Sequence, residues 1–230
     1  MQRTCPACDA PATGPFCGWC GAGLGVDGAL RHPDVTPGSL VVERDLTRTP
    51  WPGRSELDGT VGATTFTHTA QGVEVRAPPG RATTGLEERV RLRDAIIATS
   101  FLALKDGAVG GLVARHVRIG EATAELSLDV CPERRAVRLA RRVRMSERAA
   151  LEDLFPWTPT AAVQPVGVWN RLELRLRGGS LQAVVNGHVV AATHDPALGV
   201  GRCGLRATTR KGRKARAGMF GWFHVAMVAP

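Results

Sequence analysis

Residues 169–195 read WNRLELRLRGGSLQAVVNGHVVAATHD. Leu172, Leu174 and Leu176 take one parity, and Arg171, Glu173, Arg175 and Arg177 take the other. This is the period-two pattern of a strand with one buried face. Further on, VVNGHVV places Asn186-Gly187 between two β-branched pairs. Both residues accept the positive φ that a type I′ turn requires, so the stretch predicts adjacent antiparallel strands hinged at that dipeptide.

The same alternation recurs in Glu121–Val130, where Ala122, Ala124, Leu126, Leu128 and Val130 oppose Thr123, Glu125, Ser127 and Asp129. Ala95–Leu104 is apolar on both parities, as expected for a strand covered on both sides. Further strands are expected near 63–69, 72–77, 109–118, 134–144, 200–209 and 217–228. Only Ser146–Leu154 reads as helix, with Ser146 as N-cap and Pro156 as stop. The expected fold class is all-β, an antiparallel two-sheet sandwich.

The chain has 230 residues, 43% apolar and 22% charged, which excludes wholesale disorder. No run of apolar residues is long enough for a membrane span, and MQRTCPACDA does not read as a secretory signal. A cytoplasmic location without membrane contact is the expectation. The net charge is +9 and unevenly placed, about −2 over residues 1–130 and +11 over 131–230. Arginine outnumbers lysine 27 to 3 and tyrosine is absent, a bias that fits GC-rich coding.

Cys5-Pro-Ala-Cys8 and Cys17-Gly-Trp-Cys20 form a CxxC pair eight residues apart. Four thiolates suit the tetrahedral shell of one structural Zn2+, and a closed shell leaves no position for catalysis. Disulfides or free thiols are the competing readings, against which the spacing and the missing signal peptide weigh. The segment resembles the small bacterial zinc ribbons of pattern CPxCG…FCxxCG, departing at Asp9. The expected division is a ribbon at 1–21, a Gly/Pro-rich linker at 22–38 and a sandwich at 39–230.

The run 169–205 resembles the laminin-G-like members of the concanavalin A-like jelly rolls. The resemblance rests on Trp169, Asn170, Leu172, Gly178, Leu181, Val185, Asn186, Gly187, Asp195, Gly201, Gly204 and Leu205, with FPWTPT at 155–160. It implies a jelly-roll sandwich, a fold that hosts lectins, glycosidases and adhesion modules alike. Glycosidases of that superfamily carry E-x-D-x-x-E on one strand. Glu125 and Asp129 come nearest, but the third acid is missing and their flanks read as an ordinary solvent face.

Carbohydrate binding calls for exposed aromatic rings. Trp51, between two prolines, and Trp157, in the FPWTPT segment, are the candidates, whereas Trp169 and Trp222 read as core. Two basic groups, Arg138, Arg142 and Arg144 with their neighbours, and Arg210, Lys211, Arg213, Lys214 and Arg216, are candidates for a polyanion or partner surface. Aromatics are not interleaved with them, so nucleic-acid binding is expected to be weak and nonspecific. These features together predict a non-enzymatic binding or assembly module that docks a protein partner. The alternatives are a glycan-binding or glycosidase-like domain, and a nucleic-acid-associated protein using the basic loops.

Overall fold

The computed structural model describes residues 3–4, 11–12, 23–24, 30–31, 41–48, 51, 55–57, 65–77, 82–119, 122–145, 148–209 and 216–228. Strands between Val41 and Met227 build two antiparallel sheets. One has eight strands. Its path runs His188–His194, Ser180–Val185, Trp169–Arg177, Ala95–Ala103, Arg216–Met227, Gly72–Ala77 and Thr65–Thr69, and Val41–Asp45 also pairs with Arg216–Met227. The other has seven, in the order Arg148–Pro159, Ala136–Met145, Ala122–Cys131, Ala108–Ile119, Gly201–Thr209, Ala82–Leu92 and Ser55–Leu57. The expected two-sheet sandwich is the observed fold.

Strand alternation decides what fills the space between the sheets. Leu172, Leu174 and Leu176 point inward from one sheet, and Leu112, Leu126, Leu128, Val130, Leu139 and Leu205 from the other. Each such side chain contributes about 1.5–3 kcal/mol by leaving water. Ala95–Ala103 lies between Trp169–Arg177 and Arg216–Met227 and is buried on both parities over most of its length. Phe101 sits at its centre, 5.3 Å from Phe220 between ring centroids. A Cβ at Gly110 would stand 2.2 Å from the Phe101 ring, and one at Gly218 would stand 2.4 Å away. Those glycines make room for the ring.

The Asn186-Gly187 turn is present as read, with φ of 51° and 85°. The Asn186 side chain also reaches outside its hairpin. Its Oδ1 accepts the Arg171 N–H at 2.7 Å, and its Nδ2 donates to the Ala162 carbonyl at 2.8 Å and to Asn170 Oδ1 at 3.0 Å. Asn170, fully buried, accepts in turn from the Gln164 N–H. The two asparagines thus fasten the hairpin to the preceding loop.

Arg115 performs a similar task at another place. It takes a left-handed φ of 49° at an irregularity in the Ala108–Ile119 strand. Its buried guanidinium donates to the carbonyls of Arg93, Gly178 and Leu198, tying together three separate connections.

Two expectations are corrected. Residues 148–154 are not helical: Arg148–Pro159 is a strand at the edge of the seven-stranded sheet, in register from Met145↔Arg148 to Ala136↔Pro159, with two shifts near Leu139. Helix propensity in Ala-Ala-Leu-Glu is a weak preference, and a long ladder with the neighbouring strand overrides it. Trp169 is not core; it is 39% exposed. It begins a strand on the parity of Arg171 and Glu173, opposite that of the inward leucines. Trp222 is half-buried, with the Arg171 guanidinium 5.5 Å from its ring centroid.

Candidate functional site

The side of the seven-stranded sheet facing away from the inter-sheet core carries a connected polar cluster. In Ala122–Cys131 the leucines point inward, so Glu125, Ser127 and Asp129 share the other side. Register places Arg138 opposite Asp129 and Arg142 opposite Glu125 on the neighbouring strand. Gly201–Thr209 contributes Arg206 from between the inward Leu205 and Ala207.

Asp129 is the hub. Its Oδ2 receives Arg138 Nη2 and Arg142 Nη2, each at 2.6 Å, and Arg206 Nε stands 3.4 Å from its Oδ1. Glu125 receives Arg206 Nη1 on Oε1 at 2.7 Å, and His116 Nδ1 lies 3.0 Å from Oε2. Ser127 and Thr84 take further guanidinium bonds from Arg142 and Arg206. Burial would raise both carboxyls toward the neutral form. For Asp129 the charges of Arg142, Arg206 and Arg138 outweigh it and hold the group well below the carboxylate range. For Glu125, Arg206 and the His116 hydrogen bond outweigh burial, and the net shift is again downward. Both groups are therefore anions.

The expectation of an ordinary solvent face around Glu125 and Asp129 is thus corrected, since both are buried. Cross-strand ion pairing lets charged residues occupy a covered face, a possibility that alternation alone does not reveal. Arg206 and His116 were missed for the same reason. The signal available was a charge between two inward apolar residues of a short strand.

Trp157 belongs to this face. It lies within the edge strand, half-buried, with Arg138 Cζ 4.8 Å and Arg134 Cζ 5.8 Å from its ring centroid. Arg138 thus links the ring to the Asp129 cluster, and Asp153 lies 3.6 Å from Arg138. Arg144, half-buried, stands on the same strand beyond Arg142. The structure therefore sets Trp157 beside Arg138, on the strand face that also carries Arg142 and Arg144, whereas the sequence offered the ring and this group of arginines separately.

Trp51 is excluded from such a role. It is buried, edge-on to Phe223 with centroids 5.0 Å apart, because the space between the sheets accommodates its indole. Arg210, Lys211, Arg213 and Lys214 lie outside the described residues, as does the side chain of Arg216. The expected zinc ligands Cys5, Cys8, Cys17 and Cys20 also lie outside them. Among the described residues no group of three or more His, Cys, Asp or Glu is placed to hold a metal. Cys131 and Cys203 are buried, and burial pushes the Cys203 thiol up to about 12.

No family model matches the chain, and no curated protein matches it in sequence. Solved structures do share its fold. The carbohydrate-binding module CBM66 from Bacillus subtilis is 14% identical with a TM-score of 0.52, over 69% of this chain and 88% of its own. The kappa-carrageenase of Pseudoalteromonas carrageenovora, solved with an oligotetrasaccharide of kappa-carrageenan, is 9% identical with a TM-score of 0.59, over 86% of this chain and 99% of its own. A Bacillus licheniformis beta-glucanase is 9% identical with a TM-score of 0.53, over 84% of this chain and all of its own. The chain has the concanavalin-like jelly-roll fold of carbohydrate-binding modules and glycanases. At these identities the likeness establishes the fold alone.

The neighbours nonetheless correct two expectations. The sequence favoured a protein-docking module without enzymatic activity. Neighbours that share its architecture include a carbohydrate-binding module and glycan-active enzymes, which supports neither of those expectations.

Proposed function

We propose that this protein recognises a glycan on the face of the seven-stranded sheet that carries Trp157, Arg138 and Arg142. The observation that carries the proposal is the partly exposed Trp157 ring beside Arg138, an arginine that the buried Asp129 positions together with Arg142. A sugar presents an apolar C–H face to a ring and hydroxyls to planar donors, and this arrangement offers both partners. The fold neighbours described as carbohydrate-binding and glycan-active support the same reading. Asp129 and Glu125 lie underneath, where they fix the direction of the guanidiniums.

Glycoside processing on this face is the second reading. It is favoured by Glu125 and Asp129 standing on one side of one strand, close enough for Arg206 to reach both. Such chemistry needs one carboxyl that holds a proton. A bound sugar would have to draw Arg206 away from Glu125 before that group could serve.

A glycan panel tests both readings. The full chain is expected to bind at least one soluble polysaccharide, with Trp157→Ala weakening binding about tenfold and Trp169→Ala, on the other sheet, leaving it unchanged. A panel on which no glycan binds would refute the proposal. Release of reducing ends from the bound polysaccharide, abolished by Glu125→Gln, would establish the second reading.

A further inference from the structure

We infer that the ligand of this face is a neutral glycan with adjacent free hydroxyls, held by Arg138 and Asp153 beside the Trp157 ring. The inference rests on the glycan reading above and names its substrate class. Asp129 engages one edge of the Arg138 guanidinium, taking Nε at 3.2 Å and Nη2 at 2.6 Å. The remaining nitrogen, Nη1, stands 3.6 Å from Asp153 Oδ1, too far for a hydrogen bond. Among the described residues, neither Nη1 nor the Asp153 carboxylate has a hydrogen-bond partner. Asp153 is exposed. An unused donor and an unused acceptor therefore stand side by side, and the Trp157 ring centroid is 4.8 Å from Arg138 Cζ.

The irregular edge strand creates this meeting. Counted without interruption from Val137↔Thr158, the ladder would set Asp153 opposite Arg142. The two register shifts around Leu139 set it opposite Ala140 instead, two positions nearer Arg138. Extra residues in a strand re-aim side chains in this way. Trp157 and Asp153 thereby both reach one guanidinium. A hydroxyl can accept one hydrogen bond and donate another. Adjacent hydroxyls of one sugar ring can divide the pair, one accepting from Nη1 and its neighbour donating to Asp153. The C–H face of the same sugar then lies against the indole. An acidic substituent is disfavoured at this point. Asp153 repels it, and the Arg138 charge is already met by Asp129 and Asp153.

Isothermal titration of the full chain at about 150 mM salt tests this, since counterion release favours any polyanion at low salt. Dextran, galactomannan and inulin are the neutral probes with adjacent free hydroxyls. Laminarin is a glucan whose chain linkage separates its free hydroxyls, and dextran sulfate and polygalacturonate are acidic. At least one of the first three is expected to bind about tenfold more tightly than laminarin and than either acidic polymer. Asp153→Ala, its fold checked by circular dichroism, is expected to weaken that binding about tenfold. Glu152→Gln removes the neighbouring acid, which pairs with Arg141 instead, and is expected to change it less than about twofold. Periodate oxidation of the bound polymer cleaves between adjacent hydroxyl-bearing carbons. It is expected to weaken wild-type binding about tenfold and Asp153→Ala binding less than about twofold.

Laminarin or an acidic polymer bound as tightly as the best of the three neutral probes would overturn the inference and leave the glycan reading standing. The same holds if none of the three binds while another glycan of the panel does. Wild-type affinity in Asp153→Ala, or equal losses from Asp153→Ala and Glu152→Gln, would overturn the clamp assigned to Arg138 and Asp153. Binding to none of these polymers, together with an empty glycan panel, would remove the glycan reading itself.

Discussion

Replacing Asp129 with asparagine deletes one negative charge at nearly constant shape. Asp129 is 1% exposed and receives Arg138, Arg142 and Arg206. Removing the counter-charge of a buried pair costs about 3–5 kcal/mol, because the cations stay in place without neutralisation. Glu125 still meets Arg206 and Asp153 still approaches Arg138, so about 3 kcal/mol is the expected figure. For a sandwich of this size that lowers Tm by about 6–12 °C at pH 7. Circular dichroism melts of both proteins measure it. The pH dependence supplies an internal check. The folded carboxyl is held below its unfolded value, so its stabilisation is full above that value and is lost as pH falls toward the folded one. Wild type should therefore lose stability below about pH 4 more steeply than Asp129→Asn, and the gap between them should narrow. A gap below about 1 kcal/mol at pH 7, or one that stays constant into acid, would refute the hub assigned to Asp129.

Three further outcomes are expected. Gly187→Val should destabilise by about 1–3 kcal/mol in urea, from backbone strain alone, since nothing lies within 4 Å of the Cβ it would add. A change below about 0.5 kcal/mol would mean that the turn tolerates a β-branched residue. Arg115→Met should cost at least about 3 kcal/mol by stranding three carbonyls, and hydrogen exchange should rise together in the connections near Arg93, Gly178 and Leu198. Unchanged exchange there would show that Arg115 is not a tie. We also propose that Cys5, Cys8, Cys17 and Cys20 hold one Zn2+. Elemental analysis of protein prepared under reducing conditions should give one zinc per chain, and Cys20→Ser should lose it while the melting transition of the sandwich stays in place. Metal-free wild type would refute the site.

The fold was legible where one face of a strand is dry and the other wet. Leu172, Leu174 and Leu176 announced their strand through period two, and Asn186-Gly187 announced its turn through the backbone angles those residues accept. Arg148–Pro159 escaped notice because Ala, Leu and Glu suit a helix, although its partner strand Ala136–Met145 directly precedes it. The site was legible only in fragments. Trp157, Arg138 and Arg142 could be singled out by type, and Glu125 and Asp129 by spacing. Their assembly depends on register between Ala122–Cys131 and Ala136–Met145, and on Arg206 arriving from a strand some 80 residues away. Trp51 and Trp169 exchanged roles for a comparable reason. Flanking prolines suggested exposure and a strand start suggested burial, but the position of each ring relative to the two sheets decided the matter.

The Arg148–Pro159 strand closes one side of its sheet with no described strand beyond it. An open ladder of twelve residues is a template onto which other chains can add. Pro156, Pro159 and the register shifts near Leu139 spoil its second half for that purpose, and the Glu152-Asp153 pair interrupts the first. The longest stretch free of charge and proline is then Ala149–Leu151, shorter than the five to seven residues from which β-aggregates grow. Changing Glu152 and Asp153 to valine would join Ala149 through Phe155 into one uncharged run. On this edge, Glu152 and Asp153 are what keep the uncharged stretch short.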